Sequence, residues 1–269
     1  MTSRYEVWVN DTALSDIDPR IYVADIGYQP ASVTRSSGRL AGGQGELASG
    51  WDYYGTSKTT VSCVIRAYNT SERQRVIQSI VRWAQAGGWL KTSDRPDQRI
   101  YVKPTRLPAA GSVMRWLDAV SIEFTAYEWP FWTDIASQTV TVSSGSSLRF
   151  NSALPGFAEF DITLGGGDAR VKTMAVTVGD RTITLDNVNV KGGHIVLTYT
   201  EEHHILRIYH QPAGQNTQNS ILQRRTADSA DDLILIPGSN ALAFSFTLNS
   251  EDSGTNTATC TVSGKGVYL

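Results

Sequence analysis

The sequence predicts a mainly β protein of the α+β class with two domains. All seven tryptophans lie in the first half, the last being Trp132, and the same segment contains one strong helical pattern. Beyond Trp132 short runs of alternating apolar and polar residues are separated by Gly-rich turns, which is typical of a β-sandwich of jelly-roll character. We therefore predict a β-rich domain with one packed helix over residues 1–136. A β-sandwich is predicted over residues 137–269, with its last strand packing back near the first domain.

Composition places the chain among globular proteins. Its 269 residues suffice for two modest domains, and 41% of them are hydrophobic, which is enough for packed cores. The net charge of −2 lacks the basic excess of a nucleic-acid-binding protein. No apolar run reaches the ~20 residues of a membrane span, and residues 1–10 lack the apolar stretch of a signal peptide, so we expect no membrane anchor and synthesis in a cytoplasm. The two cysteines, Cys63 and Cys260, are expected to be small buried hydrophobic residues rather than a disulfide.

The first domain is expected to open with two strands and a loop. Residues 5–10 and 21–26 carry the alternation and flanking turn residues of strands. Residues 33–45 are rich in Gly and Ser, with two arginines and little to bury. This composition predicts a mobile loop in the isolated protein, one that becomes ordered against a neighbouring chain.

A strand and the most clearly patterned helix follow. Residues 59–68 place alternate apolar side chains on one face. Ser71 precedes Gln74 by three residues, the spacing of a capping box with a hydroxyl at the N-cap. Five apolar side chains then recur at helical intervals: Val76, Ile77, Ile80, Val81 and Ala84. Because Gly87 ends this pattern, a helix is predicted over residues 72–86.

The rest of the first domain is predicted to be strands. They cover residues 89–91, 99–102 and 120–127, with a turn over residues 93–97. Pro130 cannot donate to a strand ladder, so the domain is expected to end near it.

The second half is predicted to be all-β, and no helical pattern of convincing length follows residue 137. Strands are predicted from alternation over residues 159–164, 174–178, 183–185, 205–209, 233–236 and 242–246. Glycine-containing turns are predicted at residues 165–168, 179–180, 192–193 and 237–240.

Residues that could carry chemistry are few and poorly spaced. The four histidines are His194, His203, His204 and His210. Imidazole and carboxylate suit zinc, but His203 and His204 would point to opposite faces of a strand, so a polar turn is the simpler interpretation. The acidic pairs at 201–202 and 231–232 suggest a glycosidase but are usual in solvated loops. With no nucleophile elbow, P-loop or Cys-x-x-Cys motif, we predict no enzymatic activity, no catalytic residue, no metal and no cofactor.

Two features of the first domain are candidates for contact with another chain. Arg35 and Arg39 lie in the Gly-rich segment, where they either dock on an acidic surface or are simply solvated. Trp51, Tyr53 and Tyr54 place three aromatic rings within four positions, either as core residues or as the anchor of an interface. We take these five residues as the candidate interface residues.

Three stretches together resemble the distal tail (Dit) family of long-tailed, siphovirus-type bacteriophages. The first is the Gly-rich segment with residues 51–55 and the strand that follows. The second is the strand–helix unit of residues 67–83, continued through residues 89–91 and 96–102. The third, residues 233–240, contains a Pro-Gly-Ser-Asn turn. None of them is a catalytic signature, and the resemblance rests on their order and spacing.

The resemblance implies structural work. Six copies of the N-terminal domain, called the belt, would close into a hexameric ring that joins the tail tube to the tail tip or baseplate and lines the channel for DNA ejection. The C-terminal domain would be a galectin-like β-sandwich on the outside. The implied partners are further copies of the chain, the tail tube protein, the tail tip or tail-associated lysin-like hub protein and the tape measure protein, with DNA only in passage. The implied location is the virion tail tip.

Other functions stay open on the residues alone. A carbohydrate-binding adhesin module is one, although the second domain has no tryptophan for sugar stacking and no room for an inserted sugar-binding module. The tail tube protein of the same particle is another. A hydrolase that uses Asp231, Asp232 or His204 is a third.

Overall fold

The chain divides into two units, Met1–Thr133 with Leu269 and Asp134–Tyr268. In the first unit seven strands follow one another in an antiparallel sheet, which packs against one long helix. The computed structural model describes residues 5–39, 46–108, 117–143, 146–201 and 204–269, and at 35–39, 46–53 and 117–118 it describes the backbone alone. In that part of the chain no helix is long and apolar enough to cross a membrane.

The described residues of the first unit form twelve elements. In chain order they are β1 Val7–Val9, β2 Thr12–Ala13, α1 Leu14–Ile17, β3 Ile21–Gln29, β4 Val33–Arg39, β5 Glu46–Tyr54, β6 Ser57–Arg66, α2 Thr70–Gln85, β7 Gly88–Thr92, β8 Arg95–Arg106, β9 Leu117–Ala126 and β10 Trp132–Asp134. The sheet order is β2-β1-β7-β8-β9-β6-β3, with β10 paired to β8. The predicted mainly β fold with one long helix is confirmed.

The core of the first unit lies between this sheet and α2. Burial alternates along β6 without a break, so that one side of the strand faces the core and the other faces outward. The apolar stripe of α2, including Val76, Ile77 and Ile80, is buried against the sheet, and the ring of Trp83 meets that of Phe124 at 6.1 Å. Burying each such side chain stabilises the fold by about 1.5–3 kcal/mol.

The helix α2 begins one residue before the predicted N-cap, so the N-cap prediction is wrong. Asn69, not Ser71, is the cap: its Oδ1 accepts the backbone N–H of Glu72 at 2.8 Å. The Glu72 carboxylate in turn accepts the N–H of Tyr68 at 2.9 Å. Asn69 provides the side-chain oxygen and the extended backbone that an N-cap requires, and this leaves Ser71 inside the first turn.

The mobile loop predicted at residues 33–45 is wrong for residues 33–39, which form β4. This strand pairs antiparallel with β5, from Val33 opposite Tyr54 to Arg39 opposite Glu46. The polar, Gly-rich composition favours no strand by itself, but in a hairpin each strand gains backbone hydrogen bonds from the other. Residues 40–45 lie outside the described residues. The turn predicted at residues 93–97 is likewise shorter, because β8 already begins at Arg95.

The second unit contains strands and one short 3₁₀ helix in its described residues. In chain order the elements are β11 Gln138–Val142, β12 Ser147–Phe150, β13 Gly156–Phe157, β14 Glu159–Gly165, β15 Val171–Val178, β16 Arg181–Leu185, β17 Gly192–Tyr199, β18 Leu206–Gln211, β19 Asn219–Ser220, a 3₁₀ helix Leu222–Arg224, β20 Ile234–Leu235, β21 Gly238–Leu248, β22 Ala258–Gly264 and β23 Val267–Tyr268.

Two antiparallel sheets of the second unit enclose one core, so it is the β-sandwich that the sequence predicts. The sheet orders are β11-β22-β14-β17-β18-β19 and β12-β21-β15-β16. Inward residues of both sheets, among them Phe160 and Ile162 on one and Val176 and Ile183 on the other, belong to a single buried cluster.

Two predicted turns of the second unit are partly strand. Gly193 lies within β17 at φ 93, and a Cβ there would collide with the carbonyl oxygen of Gln211, so glycine serves a close approach of two strands rather than a turn. Gly238–Asn240 begin β21, but the Asn240 side chain still closes the preceding bend. Its Nδ2 donates to the carbonyl of Ile236 and its Oδ1 accepts the Ile236 N–H, both at 2.8 Å.

The cysteines are buried and free, as predicted. Cys63 faces the core of the first unit from β6, and Cys260 faces that of the second from β22. Burial raises the pKa of each thiol to about 12. Both side chains therefore act as small apolar groups at neutral pH.

Candidate subunit interface

A two-stranded hairpin stands apart from the main sheet of the first unit, and we call β4 and β5 together the hairpin arm. Among the described residues these strands pair with each other and with no other strand. At the base of the arm the Gly55 N–H donates to the Ser32 carbonyl at 2.8 Å. An isolated two-stranded hairpin is at best marginally stable in water, so the arm gains stability from any surface that covers it.

Tyr54 joins the arm to the body of the unit. Its ring meets that of the buried Phe131 edge-on at 4.8 Å, and Phe131 meets Trp129 in the same way at 5.0 Å. Tyr54 and its cross-strand neighbour Val33 nevertheless keep 36% and 43% of their surface exposed. The contact of Tyr54 with Phe131 therefore connects the arm to the rest of the unit, and it is partly exposed to solvent.

The five predicted interface residues all lie on the arm. Arg35 and Arg39 belong to β4, and Trp51, Tyr53 and Tyr54 belong to β5. The side chains of the first four lie outside the described residues, so their part in an interface stays a prediction. Tyr54 is the member whose contacts are described, and it is both packed on Phe131 and partly exposed.

A second surface, which the sequence did not single out, lies on the side of β1, β7 and β8 that faces away from the core. We call it the aromatic face, and it consists of Trp8, Trp89, Lys91, Arg99 and Tyr101. Trp8 pairs across the ladder with Lys91, and Trp89 pairs with Tyr101. All five side chains are partly exposed in the single chain.

Cation and aromatic groups of this face are in direct contact. The Arg99 guanidinium lies 4.1 Å from the centroid of the Trp89 ring, whose edge meets Tyr101 at 5.4 Å. Lys91 forms an ion pair with Asp11, and this hydrogen bond holds the pKa of the Asp11 carboxyl below its usual range. Trp, Tyr and Arg are the residues most enriched at interface hot spots, and cation–π contacts strengthen when they are shielded from water.

The alternation of β1 and β7 is the signal that could have revealed this face. Val7 and Val9 are buried on either side of Trp8, and Leu90 is buried beside Trp89. A tryptophan between two core positions of a strand must point outward.

Other tryptophans belong to the core of the single chain. Trp83 is 8% exposed, and its indole N–H donates to the Thr12 carbonyl at 2.9 Å. Trp132 is 3% exposed and packs on the ring of Tyr28. The Arg95 guanidinium lies 5.0 Å from the centroid of the Trp132 ring. Some tryptophans of the first half therefore stabilise the core, and others lie on the surface of the unit.

The residues considered for catalysis or metal binding have structural partners instead. The His194 Nδ1 lies 2.9 Å from Oδ1 of the Asp161 carboxylate, which accepts the hydrogen bond, and the His210 Nε2 lies 2.8 Å from the Gly192 carbonyl oxygen. The His204 ring stacks on Phe157 at 5.2 Å. Across the described chain no three His, Cys, Asp or Glu side chains come together to hold a metal ion. His203 lies outside the described residues.

The adjacent acidic residues 231 and 232 form separate ion pairs. Asp231 pairs with Arg225 at 3.1 Å, and Asp232 pairs with Arg181. Each carboxylate therefore has its own cation, and the pair is not arranged as two carboxyl groups facing one substrate bond.

The two-unit architecture, with a β-rich first unit and a β-sandwich second unit, is shared with solved structures of phage tail proteins. Along 98% of this chain and 99% of the other, it matches the crystal structure of the SPP1 Dit (gp 19.1) protein, described as a paradigm of the hub adsorption apparatus in Gram-positive infecting phages, with a TM-score of 0.71 and 12% identity. The resemblance to the distal tail family is confirmed at the level of the fold.

Two further solved structures have a similar fold along all or nearly all of this chain. A chain of the phage P2 baseplate in its activated conformation with Ca is matched with a TM-score of 0.52 and 9% identity, covering 100% of both chains. The corresponding p2 baseplate with Sr is matched with a TM-score of 0.51 and 9% identity, covering 98% of this chain and 99% of the other. No family model matches the sequence, and no curated protein matches it.

Proposed function

We propose that this chain is a distal tail hub protein of a long-tailed bacteriophage. In this proposal six copies close into a ring that joins the tail tube to the tail tip or baseplate and surrounds the path of DNA during ejection. The observation that carries the proposal is the fold likeness to the SPP1 Dit protein, which extends over 98% of this chain and 99% of the other and so includes both units.

The surfaces of the first unit support the ring. A closed ring needs two different patches on each subunit, because each copy contacts two neighbours in a head-to-tail manner. The hairpin arm and the aromatic face are both incompletely covered in the single chain, and both carry the residue types that interfaces favour. The Arg35, Arg39, Trp51, Tyr53 and Tyr54 positions on the arm are the proposed contacts with a neighbouring copy or with the adjoining tube.

The mechanism is geometric. The ring sets the width of the channel by the angle between neighbouring subunits, and its two rims would meet the tail tube protein on one side and the tail tip hub protein on the other. The tape measure protein and DNA would pass through without a permanent site. The proposal assigns no reaction and no cofactor to either unit.

Imaging tests the proposal directly. The full chain, alone and co-expressed with the tube and tip proteins of its phage, is examined by negative-stain electron microscopy and by light scattering. We expect sixfold rings with six times the mass of the chain, and the same rings at the tail tip of isolated particles. A chain that is solitary at the tail tip, with no sixfold neighbour, would contradict the proposal. Long tubes in place of single rings would indicate the tail tube protein instead.

A further inference from the structure

The two outer faces of the β-sandwich in the second unit differ in chemistry. On the four-stranded sheet the central strands β15 and β21 pair with each other, and their paired outward residues are all Ala, Ser or Thr. These residues are Thr173, Ala175, Thr177, Ala243, Ser245 and Thr247. Two of the hydroxyl groups already bond to other hydroxyl groups of the same sheet, those of Thr173 and Thr177. This face therefore offers a ligand few functional groups.

The outer face of the six-stranded sheet carries longer functional groups, and we call its outward residues on β14, β17 and β18 the polar face. All nine are exposed or partly exposed, and they alternate with buried residues of the core. The strand register arranges them in three rows: Glu159–Thr198–Arg207, Asp161–Val196–Tyr209 and Thr163–His194–Gln211.

The middle row gives the polar face an apolar centre. Tyr209 lies directly opposite Val196 on the neighbouring strand, and both side chains are partly exposed. Burial of the ring and the nearby Asp161 carboxylate raise the pKa of Tyr209 above its usual value. An aromatic ring beside an aliphatic side chain, with polar groups around both, matches a sugar ring, which has C–H groups on its face and hydroxyl groups at its rim.

A cleft of about 480 Å³ opens at the third row of the polar face. Thr163, His194 and Gln211 line it from the sheet, and the loop of residues 212–216 forms its other wall. Gly193 lets this loop approach the sheet, because a Cβ there would meet the backbone of the loop at 2.9 Å. The volume lies within the range of about 300–1,000 Å³ that is usual for small-molecule sites.

Contacts within the chain orient the polar groups of the cleft. The His194 Nδ1 lies 2.9 Å from Oδ1 of Asp161 and 3.4 Å from the hydroxyl oxygen of Thr163. Because a carboxylate only accepts, Nδ1 carries a proton, and Nε2 of the neutral ring is an acceptor. The Gln211 Nε2 donates to the Gln215 carbonyl at 3.0 Å, so its Oε1 is the amide atom that a ligand can meet.

We propose that the polar face and this cleft bind a neutral saccharide. One sugar ring stacks on Tyr209, and hydroxyl groups of the saccharide donate to Nε2 of His194 and to Oε1 of Gln211. Tyr209 and Gln211 are two positions apart on one strand, about 7 Å, which a single sugar with its substituents can span. Tyr209 provides the stacking ring in a unit that has no tryptophan.

The charges of the polar face favour a neutral ligand. Glu159 and Asp161 would repel an anion, and Arg207 would repel a cation. A sugar hydroxyl both donates and accepts, so it can bond to the carboxylates and to the guanidinium alike. The site is separate from the surfaces proposed for the ring, and it does not depend on ring formation.

Binding to defined sugars tests the site in the full chain. Maltose, lactose and diacetylchitobiose are the free neutral probes, dextran and galactomannan are the neutral polymers, and heparin is the anionic control. Binding is measured by isothermal titration calorimetry up to millimolar concentration of sugar. We expect at least one neutral probe to bind and heparin not to bind. Binding of heparin alone, or of no neutral probe at all, would overturn the inference.

Substitutions locate the site. Tyr209→Ala and Gln211→Ala should each weaken binding of the neutral probe about fivefold or more, whereas Tyr209→Phe keeps the ring and should stay within about twofold. Tyr127→Ala and Gln78→Ala make the same changes at exposed positions of the first unit and should leave binding unchanged. Thermal unfolding checks that each variant is folded. Sugar binding that Tyr209→Ala and Gln211→Ala leave unchanged would place the site elsewhere and overturn the inference, and none of these outcomes bears on the ring, which imaging decides.

Discussion

An ion pair in the second unit fixes the position of a loop. Arg170 donates to Asp252 through both Nε, at 3.0 Å, and Nη2, at 2.9 Å, and its backbone N–H donates to the same carboxylate at 2.7 Å. These contacts hold the pKa of Asp252 to about 2. This bidentate contact connects the start of β15 to the segment that follows β21.

The Asp252 contact predicts a defined acid sensitivity. Because the pKa of this carboxyl in the folded chain lies below its value of about 3.9 in an unfolded chain, the contact contributes fully above pH 4. Its contribution falls as the pH drops from about 4 to 2. Asp252→Asn should therefore lower the melting temperature at pH 7, and the difference from the wild type should shrink between pH 4 and pH 2. The measurement is thermal unfolding at pH 7, 4 and 2.

Asp228→Asn is the matched control for this change, since Asp228 is exposed and has no ion pair in the described residues. It should follow the wild type at every pH. A melting-temperature difference for Asp252→Asn that is the same at pH 7 and pH 2 would refute the electrostatic explanation.

At the level of elements, the sequence predicted structure that depends on residues close together in the chain. It did not predict structure that depends on residues far apart in the chain. The helix α2 was found within two residues, because its hydrogen bonds and its apolar stripe are local. The hairpin arm was missed because each of its strands is stabilised by the other. Strand β17 was obscured by Gly192 and Gly193, which signal a turn but here allow close strand approach.

The candidate interface was predictable only in part, for the same reason. The aromatic residues of the arm are adjacent in sequence and were noticed. The aromatic face brings Trp8 and Lys91 together from positions far apart in the chain, through the pairing of β1 with β7. No local pattern contains that pairing, although the outward position of Trp8 between two buried valines was available.

The start of α2 provides a test at this scale. Asn69→Ala removes the cap of the Glu72 N–H and should destabilise the helix by about 1 kcal/mol. Ser71→Ala removes no cap, and since alanine has the higher helix propensity, it should not destabilise the helix. Cys63 is buried in the same unit as α2, so its reaction with a thiol reagent in the native state reports the opening of that unit. Asn69→Ala should raise the labelling rate of Cys63 about fivefold, as 1 kcal/mol requires.

Cys260 is the internal reference in that experiment, because it is buried in the core of the second unit. Its labelling rate should stay at the wild-type value in both variants. Equal acceleration of Cys63 labelling by Asn69→Ala and by Ser71→Ala would show that the capping assignment is incorrect.

At the scale of the whole molecule, the proposed assembly would use parts of the first unit other than its folding core. The core-facing residues of the sheet and the apolar stripe of α2 are covered within the single chain. The aromatic face lies outside that core and carries polar and aromatic groups that a neighbouring copy can use, and among the described residues the strands of the hairpin arm pair only with each other. A change in these surfaces should therefore alter assembly without altering the stability of the single chain.

Removing the arm is the most direct test of this separation. Replacing residues 34–53 by Asn-Gly joins Val33 to Tyr54, which already face each other across the ladder, through a two-residue hairpin turn. The seven strands of the main sheet and α2 are left intact, so the circular dichroism spectrum and the melting temperature should stay close to those of the wild type. If the proposed ring is correct, rings and tail tips that contain the chain should be lost, because the arm would supply contacts with a neighbouring copy. A shortened chain that assembles normally would exclude the arm from the interface, and one that fails to fold would show that the arm belongs to the folding core.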